Sequence, residues 1–453
     1  MSTAEAPEES VPPETTPNGE SPAPAADASP LSAADSSRAT VWGLASLFGL
    51  YYFIQGIGEP GDGLLSQPLR SMLDSWGQST GQIGEFMGVL GLPWTFKPLF
   101  GMLSDFVPLA GSRRKSYLVL MSAFCVIAFL LLWWFPVEAG SVAPLLALLS
   151  VAAIGISFSD VVVDALMVEK GQPLGLTGHF QAIQWGCIWA AAVLSGTVGG
   201  YLTEHKQIGV GYLICGAASL AAILLTLACV REKRQSVDRK QLVGTLRQLW
   251  IAARSPAVLA VGIFLFLWNF NPFSTTVLQL HMTKVMHFGD QFYGNFQSVN
   301  AAGAMLGSIS YALYCRRVSR PILIHLSIAL GVVATLAFWA MEGETSAMLV
   351  SFGTGVATGS AFVIQLDLAA QACPALTAGT VFALLMSLAN LGTSLSTMLG
   401  GRWYDAWSAT WDKQTAFMLL VGVGAAFTAG CWLLVPFLRH SLPPSRNENE
   451  YDA

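Results

Sequence analysis

Charged residues are scarce in this 453-residue chain: 11% of its residues are Asp, Glu, Lys or Arg, whereas 53% are hydrophobic. A soluble domain ordinarily carries about 25% charged residues, so the chain has less than half of the usual amount. The mean hydropathy is +0.54. This composition excludes a soluble globular enzyme, a nucleic-acid-binding protein and a disordered scaffold, and it indicates an all-α protein that crosses a membrane many times.

Paired cysteines are also missing. The seven cysteines are an odd number, none forms a Cys-x-x-Cys pair, and nearly all lie in or beside apolar stretches. We therefore expect free thiols and no metal site. The chain lacks the Gly-x-Ser-x-Gly, His-Glu-x-x-His and phosphate-loop patterns, so we predict neither an enzyme nor a bound cofactor.

Twelve apolar stretches lie between two polar tails. A helix needs about 20 residues to cross roughly 30 Å of hydrocarbon. On this basis we predict transmembrane helices at residues 41–73, 81–105, 116–135, 143–168, 178–201, 209–230, 255–284, 290–314, 321–340, 346–371, 376–400 and 415–438. The first helix should break at residues 56–61, where Gly and Pro interrupt it. Residues 1–40 and 439–453 are polar and should form disordered tails.

Most of the 23 Lys and Arg residues lie on the side that carries both tails, so the N- and C-termini are predicted to be cytoplasmic. The basic loop 231–254 then divides the chain into two six-helix bundles, residues 41–230 and 255–438. A weak internal repeat accompanies this division, because the second span begins Gly84-Glu85-Phe86 and the eighth begins Gly294-Asn295-Phe296. Two such bundles resemble the major facilitator fold, in which the substrate site lies between the halves.

The second span and the loop after it carry the first informative motif. It reads Gly91-Leu-Pro-Trp-Thr-Phe-Lys97-Pro-Leu-Phe-Gly-Met-Leu-Ser-Asp105, and Gly-Ser-Arg113-Arg114-Lys follows after a short spacer. This pattern resembles the conserved loop of the major facilitator superfamily. The resemblance implies that Asp105, Arg113 and Arg114 latch the two bundles in one state. Anchoring at the cytoplasmic membrane surface is an equal alternative for the two arginines.

The fourth span carries the second motif, Ser-Asp160-Val-Val-Val-Asp164-Ala-Leu-Met-Val-Glu. Residues four apart share one face of a helix, so both carboxylates point the same way. Two acids inside a span are costly unless they are paired, protonated or hydrated. Together with the Lys97 motif, this segment resembles the folate–biopterin transporter family over roughly residues 43–200. Muropeptide and acyl-CoA permeases carry similar patterns and are the nearest alternative.

Lys97 is the one lysine inside a predicted span, at a depth between those of the two aspartates. We therefore expect Lys97 to pair with Asp160 and Asp164, and proton binding at this cluster to drive transport. A static ion pair that stabilises the bundle is the competing interpretation.

The resemblance implies a substrate with a flat pterin ring and anionic carboxylates. Such a molecule needs aromatic faces, amide hydrogen bonds and a cation. The candidate binding residues lie in or beside spans that line a cavity in this fold: Gln55, Lys97, His179, Gln184, Trp185, Trp268, Asn269, Asn271 and Gln365. The sequence Trp-Asn-Phe-Asn-Pro at 268–272 should interrupt the seventh span, as expected at a binding site.

These observations predict a secondary active transporter of folate, pterin or a related small metabolite, coupled to H⁺ or to Na⁺. We expect it to be a monomer in the lipid bilayer of a bacterial inner membrane, with no nucleic-acid partner. A membrane-embedded enzyme and a channel are the alternatives from other functional classes.

Overall fold

The computed structural model describes residues 30–232, 244, 250–315, 317–373 and 378–441. Within these ranges the regular secondary structure is helical, apart from one isolated bridge between Leu109 and Ser112. In the first half of the chain the helices are α1 (Pro30–Gly58), α2 (Ser66–Ser75), α3 (Thr80–Gly91), α4 (Lys97–Phe106), α5 (Lys115–Trp134), α6 (Val142–Gly171), α7 (Thr177–Glu204) and α8 (Ile208–Cys229).

The second half of the chain contains eight further described helices. They are α9 (Pro256–Asn269), α10 (Thr275–Lys284), α11 (Asp290–Tyr314), α12 (Arg320–Leu336), α13 (Glu344–Ala372), α14 (Ala378–Thr410), α15 (Lys413–Gly430) and α16 (Val435–Ser441). Several begin at side-chain caps: the hydroxyls of Ser79, Ser255 and Ser274 and the carboxylate of Asp412 accept backbone N–H groups of the first turn.

Ten helices in the described ranges are long and apolar enough to cross a membrane. The predicted seventh span is absent from these ten because the chain breaks between α9 and α10, which have 14 and 10 residues. The predicted eighth span corresponds to α11, which has 25 residues but carries many small and polar ones. The structure therefore shows an all-helical membrane protein, while a count of twelve crossings stays a prediction.

Two predicted helix breaks are present. The first span is divided between α1 and α2 at residues 59–65, close to the predicted interruption at 56–61. The seventh is divided at residues 270–274, where Pro272 cannot donate a backbone hydrogen bond. The two shorter pieces, α2 and α10, contact each other, because Arg70 donates to Gln279 at 2.6 Å and to Thr275 at 3.1 Å.

The tails differ in part from the expectation. Helix α1 begins at Pro30 and not near residue 41, and the last helix continues to Ser441, so residues 30–40 and 439–441 are helical. Residues 1–29 and 442–453, like most of the linker 231–254, lie outside the described residues.

Buried apolar side chains form separate clusters. One cluster lies within residues 64–215, with Leu280 as its single later member. Another lies within residues 252–438, and a third within residues 277–421. Most of the apolar core therefore forms within each half of the chain, and the contact between halves depends on other features.

Glycines allow the two halves to approach closely. A Cβ on Gly84 would lie 2.7 Å from the carbonyl oxygen of Thr397, and one on Gly294 would lie 2.4 Å from that of Gly196. These are the two glycines of the internal repeat, and each permits backbone contact with a helix of the opposite half. The repeat therefore marks equivalent packing positions.

Polar contacts between the halves concentrate on one side, which we call the Asp74 side (residues 59–79, 285–289 and 411–412). There Lys284 pairs with Asp74, the N–H of Gly81 donates to Asp405 at 2.7 Å, and Gln67 donates to the Asp290 carbonyl at 2.7 Å. The opposite side, with residues 107–114, 172–176 and 317–319, is called the Arg113 side.

Candidate membrane-embedded charge cluster

Lys97 lies at a change of helix type. A short 3₁₀ segment, Leu92–Phe96, follows α3, and Lys97 begins α4. Pro98 fits the first turn of α4, where its missing N–H leaves no bond unmade. The Lys97 ammonium lies 2.6 Å from Oδ2 of Asp160 and 4.7 Å from the centre of the Trp94 ring. Lys97 is 17% exposed and Asp160 only 3%, so this ion pair is buried.

Asp160 has a second partner on α1. The side-chain amide of Gln55 donates to Oδ1 of Asp160 at 2.9 Å. The two oxygens of this carboxylate therefore face different groups, a cation and an amide donor. The predicted contact between Lys97 and the fourth span is thus present, and Gln55 belongs to the same cluster.

Asp164 lies one turn farther along α6 and is held by neutral groups. The hydroxyl of Tyr52 donates to Oδ1 of Asp164 at 2.5 Å, and the amide of Gln184 donates to the same atom at 3.4 Å. Tyr52 and Gln55 are three residues apart on α1, and Asp164 and Asp160 are four apart on α6, so the two pairs follow one helix–helix interface. Sequence reasoning missed Tyr52, although its spacing from Gln55 is a usable signal.

Trp185 connects the cluster to the second half of the chain. Its ring centre lies 6.4 Å from that of Tyr52 and 4.7 Å from that of Phe362, and both contacts are edge-on. Aromatic edges and faces of this kind can hold a flat ring. Phe362 lies on α13, three residues before Gln365, so the two share a face of that helix.

The amide candidates of the second half form two groups. Asn269 donates to Gln365 at 3.0 Å. Asn271 instead donates to Thr335 at 3.0 Å and accepts the N–H of Phe273 at 3.1 Å. Asn271 thus stabilises the break between α9 and α10.

The remaining two candidates are also placed apart from the charge cluster. Trp268 donates to the Ser327 carbonyl at 3.3 Å and packs against Gly331, which is a contact within the second half. His179 is exposed in the first turn of α7, on the Arg113 side. Neither residue has a described contact with Lys97, Asp160 or Asp164.

Among the candidate binding residues, two buried amide atoms have no hydrogen-bond partner in the described part of the chain: Oε1 of Gln184 and Nε2 of Gln365. Gln184 is 0% exposed and Gln365 is 3% exposed. The other end of each amide is occupied, by Asp164 and by Asn269 respectively. The site therefore offers one free acceptor and one free donor, and buried polar atoms of this kind favour a polar ligand or water.

The three residues of the loop motif form a charge network within the first half. Nη2 of Arg114 lies 2.6 Å from Asp105 and 2.7 Å from Glu169, and Nη1 donates to Ser104 at 2.9 Å. Arg113 lies 3.9 Å from Glu169. The described partners of both guanidinium groups all precede the linker 231–254, so among the described residues no side-chain contact of these arginines latches the first half to the second.

Glu232 completes this network and was missed by sequence reasoning. Its carboxylate accepts the hydroxyl of Ser112 at 2.5 Å and the backbone N–H groups of residues 113, 114 and 115 at 3.0, 3.0 and 3.2 Å. Burial alone would raise the pKa of Glu232, but these hydrogen bonds lower it by a larger amount, so the pKa of this carboxyl group lies below its usual value. The end of α8 is thereby attached to the start of α5.

Comparison with known proteins agrees with this architecture. Residues 60–340 match the BT1 family. The chain is 26% identical to the folate-biopterin transporter of Synechocystis sp. over 423 residues, which cover 88% of this chain and 82% of that protein. It is 24% identical to the probable folate-biopterin transporter 4 of Arabidopsis thaliana over 427 residues, or 78% of this chain and 86% of that protein.

Solved structures show the same fold. The D-xylose-proton symporter aligns with a TM-score of 0.69 and 12% identity over 89% of this chain and all of the symporter. The nucleoside transporter NupG aligns with a TM-score of 0.66 and 15% identity over 87% of this chain and 98% of NupG.

The predicted resemblance to folate–biopterin transporters is confirmed. The predictions of an integral multi-pass membrane protein and of a transporter in place of an enzyme are confirmed as well. A bacterial inner membrane agrees with the cyanobacterial source of one relative. The family match covers more than half of the chain, and the chain is therefore a membrane transporter that belongs to the BT1 family.

Proposed function

We propose that this transporter moves a folate or pterin across the membrane by alternating access, and that protons bound at the Lys97–Asp160–Asp164 cluster drive the movement. The observation that carries the proposal is the buried ion pair of Lys97 and Asp160 beside a second acid, Asp164, whose described partners are neutral. The named relatives that transport folate-biopterin support the substrate class.

The charge balance of the cluster explains how it can bind a proton. One ammonium faces two carboxylates, so the fully ionised cluster carries one uncompensated negative charge in a region of low dielectric constant. Such a charge is costly unless it is hydrated, protonated or paired. Binding one proton neutralises the cluster, and rupture of the Lys97–Asp160 pair during the transport cycle would change which acid carries it.

The substrate class fits the groups around the cluster. A pterin ring carries hydrogen-bond donors and acceptors on its edge and two flat faces. Trp185 and Phe362 supply aromatic surface between the halves, while Gln184 and Gln365 supply a free acceptor and a free donor. An anionic carboxylate of a folate would need a cation, and Lys97 is 17% exposed.

The cross-half contacts support a state that is closed on the Asp74 side. We place that side outside the cell, with twelve crossings and cytoplasmic termini, because the basic loops lie on the Arg113 side. The separate apolar clusters support two bundles, residues 41–230 and 255–438, that rock as units. We expect the transporter to act as a monomer.

Uptake into proteoliposomes tests the coupling. Folate uptake should rise with an inward proton gradient in the wild type, and Asp164→Asn and Asp160→Asn should each lose this dependence while retaining exchange of labelled for unlabelled folate. Asp367→Asn is the matched control, because Asp367 also accepts a tyrosine hydroxyl, from Tyr311 at 2.7 Å, but lies outside the cluster. Normal gradient dependence in both cluster variants would refute proton coupling there. A requirement for Na⁺ in place of the proton gradient would do the same.

Competition tests the substrate. Unlabelled pterin should displace labelled folate, whereas a muropeptide or an acyl-CoA should not. Displacement by either of the latter alone would favour the permease-like alternative.

Opening of the Asp74 side tests alternating access. Thr276 is fully buried beside the Arg70–Thr275 contact. A Thr276→Cys variant should therefore react with an impermeant maleimide slowly, and faster when Arg70→Met removes two hydrogen bonds between the halves. Equal rates in both backgrounds would contradict a gate at this position.

A further inference from the structure

Glu59 is a buried carboxyl group that the transport site described above does not use. It follows the last residue of α1 and is 7% exposed. Its Oε1 accepts one hydrogen bond, from the N–H of Gly61 at 3.3 Å, and its buried Oε2 has no hydrogen-bond partner among the described residues. Within the same ranges, Glu59 has no ion-pair partner.

Among the described residues, the charged and titratable groups that act most strongly on Glu59 include no lysine or arginine. They are Asp62 in the same helix break, Asp160 on α6, and the thiols of Cys125 on α5 and Cys215 on α8; the indole of Trp94 faces Glu59 as a neutral donor. Two are acids and two are thiols, so none can compensate a negative charge. A buried carboxylate without a cation and with one oxygen unbonded is strongly disfavoured, whereas the protonated acid is not.

Glu59 also lies on the face of α1 that carries the cluster. Tyr52, Gln55 and Glu59 are spaced by three and then four residues, which places them in one row. Tyr52 binds Asp164 and Gln55 binds Asp160, so Glu59 is the next group in the row toward the Asp74 side.

A small cavity lies beside this row. It has a volume of about 30 Å³ and is lined by residues of α1, α5, α6 and α8, among them Gln55, Gly58, Ser122, Cys125, Ser159 and Ser219. About 10–15 Å³ suffices for one water molecule when several polar groups are available. Gln55 lines this cavity and donates to Asp160 at 2.9 Å, and Gly58, which also lines it, directly precedes Glu59.

We propose that Glu59 is a second proton-binding site of the transporter, protonated in this conformation and linked to the Lys97 cluster along α1 through Gln55, which lies between Glu59 and Asp160. The site takes H⁺ alone, since among the described residues it offers one carboxyl group and no cluster of three ligands that could hold a metal ion. This proposal rests on proton coupling at the Lys97 cluster for its role in transport, but the protonation of Glu59 does not depend on it.

Chemical modification tests the protonation in the wild-type protein. Dicyclohexylcarbodiimide reacts with protonated carboxyl groups in apolar surroundings, and mass spectrometry locates the adduct. Glu59 should be modified at neutral pH, whereas Asp62, three residues away and exposed, should not. Infrared difference spectra of Glu59→Gln against the wild type should show the loss of one carboxylic-acid band, and Asp62→Asn should retain it. An unmodified Glu59 together with an unchanged band would overturn the proposal.

Transport then tests the role of the site. Glu59→Gln should keep folate exchange and lose the several-fold stimulation by a proton gradient, and Asp62→Asn should keep both. Full stimulation in Glu59→Gln would overturn the role of Glu59 in coupling. If Asp160→Asn and Asp164→Asn keep their gradient dependence while Glu59→Gln loses it, proton coupling at the Lys97 cluster is refuted, whereas the proposed role of Glu59 is supported.

Discussion

The buried ion pair of Lys97 and Asp160 gives the sharpest energetic prediction. At 2.6 Å and an effective dielectric constant of about 20, the attraction between the two charges is about 6 kcal/mol. Desolvation offsets much of this attraction, but removal of one partner leaves the other charge buried, and such losses amount to about 3–5 kcal/mol. We therefore expect Lys97→Met to lower the free energy of unfolding by that amount.

Asp160→Asn should cost less than Lys97→Met, because Asp164 is close enough for its charge to act on Lys97. The double variant leaves no unpaired charge on either partner, so it should be less destabilised than the sum of the two single variants by at least about 2 kcal/mol. The free energies of unfolding of the wild type, the two single variants and the double variant can be measured by unfolding with increasing SDS in mixed micelles.

Lys284→Met is the matched control, since Lys284 also pairs with an aspartate, Asp74, but is 48% exposed. An exposed pair of this kind contributes about 0–1 kcal/mol. A Lys97→Met variant that is no less stable than Lys284→Met, or a coupling energy near zero, would refute the reasoning.

Two further predictions concern packing and the Arg113 side. Glu232→Gln should lower the free energy of unfolding at neutral pH, and the difference from the wild type should shrink as the pH falls. Folding lowers the pKa of Glu232, so the ionised carboxylate stabilises the protein above its unfolded-state pKa of about 4.3. This stabilisation is lost as the pH falls through the lower pKa of the folded state. A constant difference across this range in chemical unfolding would contradict it. Gly294→Ala should reduce folded yield and transport several-fold because its Cβ meets a backbone oxygen of α7 at 2.4 Å, whereas Gly186→Ala, with no atom within 4 Å, should be tolerated. Equal size-exclusion profiles and uptake for both variants would contradict a close approach at 294.

The main features of the fold could be predicted because lipid imposes strong rules on sequence. Long apolar stretches with polar breaks identified the helices, and Pro272 and the Pro60-Gly61 pair identified the two broken ones. The ends of the first and last helices were harder to place. Polar and small residues do not prevent a helix from continuing beyond the membrane, as α1 does from Pro30.

The charge cluster was predictable for a similar reason. A lysine inside a span is so costly that it must meet acids at the same depth, and the described structure brings Lys97 to Asp160. The partners on α1 were not equally evident. A tyrosine such as Tyr52 is common in apolar helices for packing alone, and only the position of α6 shows that its hydroxyl faces Asp164.

The sequence was least informative about which candidate side chains lie between the two halves of the protein. The candidates Trp268, Asn271 and His179 were chosen for residue type, yet two stabilise contacts within the second half and one lies at an exposed helix start. Side-chain type does not specify which face of a helix borders the other bundle. The contact between Glu232 and the start of α5 could not be predicted, because most of its hydrogen-bond donors are backbone N–H groups, which every residue except proline carries.

The ratio of protons to substrate is the measurement closest to the central claim. Folate added to proteoliposomes without an imposed gradient should cause net proton uptake in the wild type, recorded with an internal pH indicator alongside labelled folate. The account predicts that Asp164→Asn still exchanges folate but moves fewer protons per folate than the wild type. An unchanged ratio in Asp164→Asn, or folate entry without proton movement in the wild type, would contradict it.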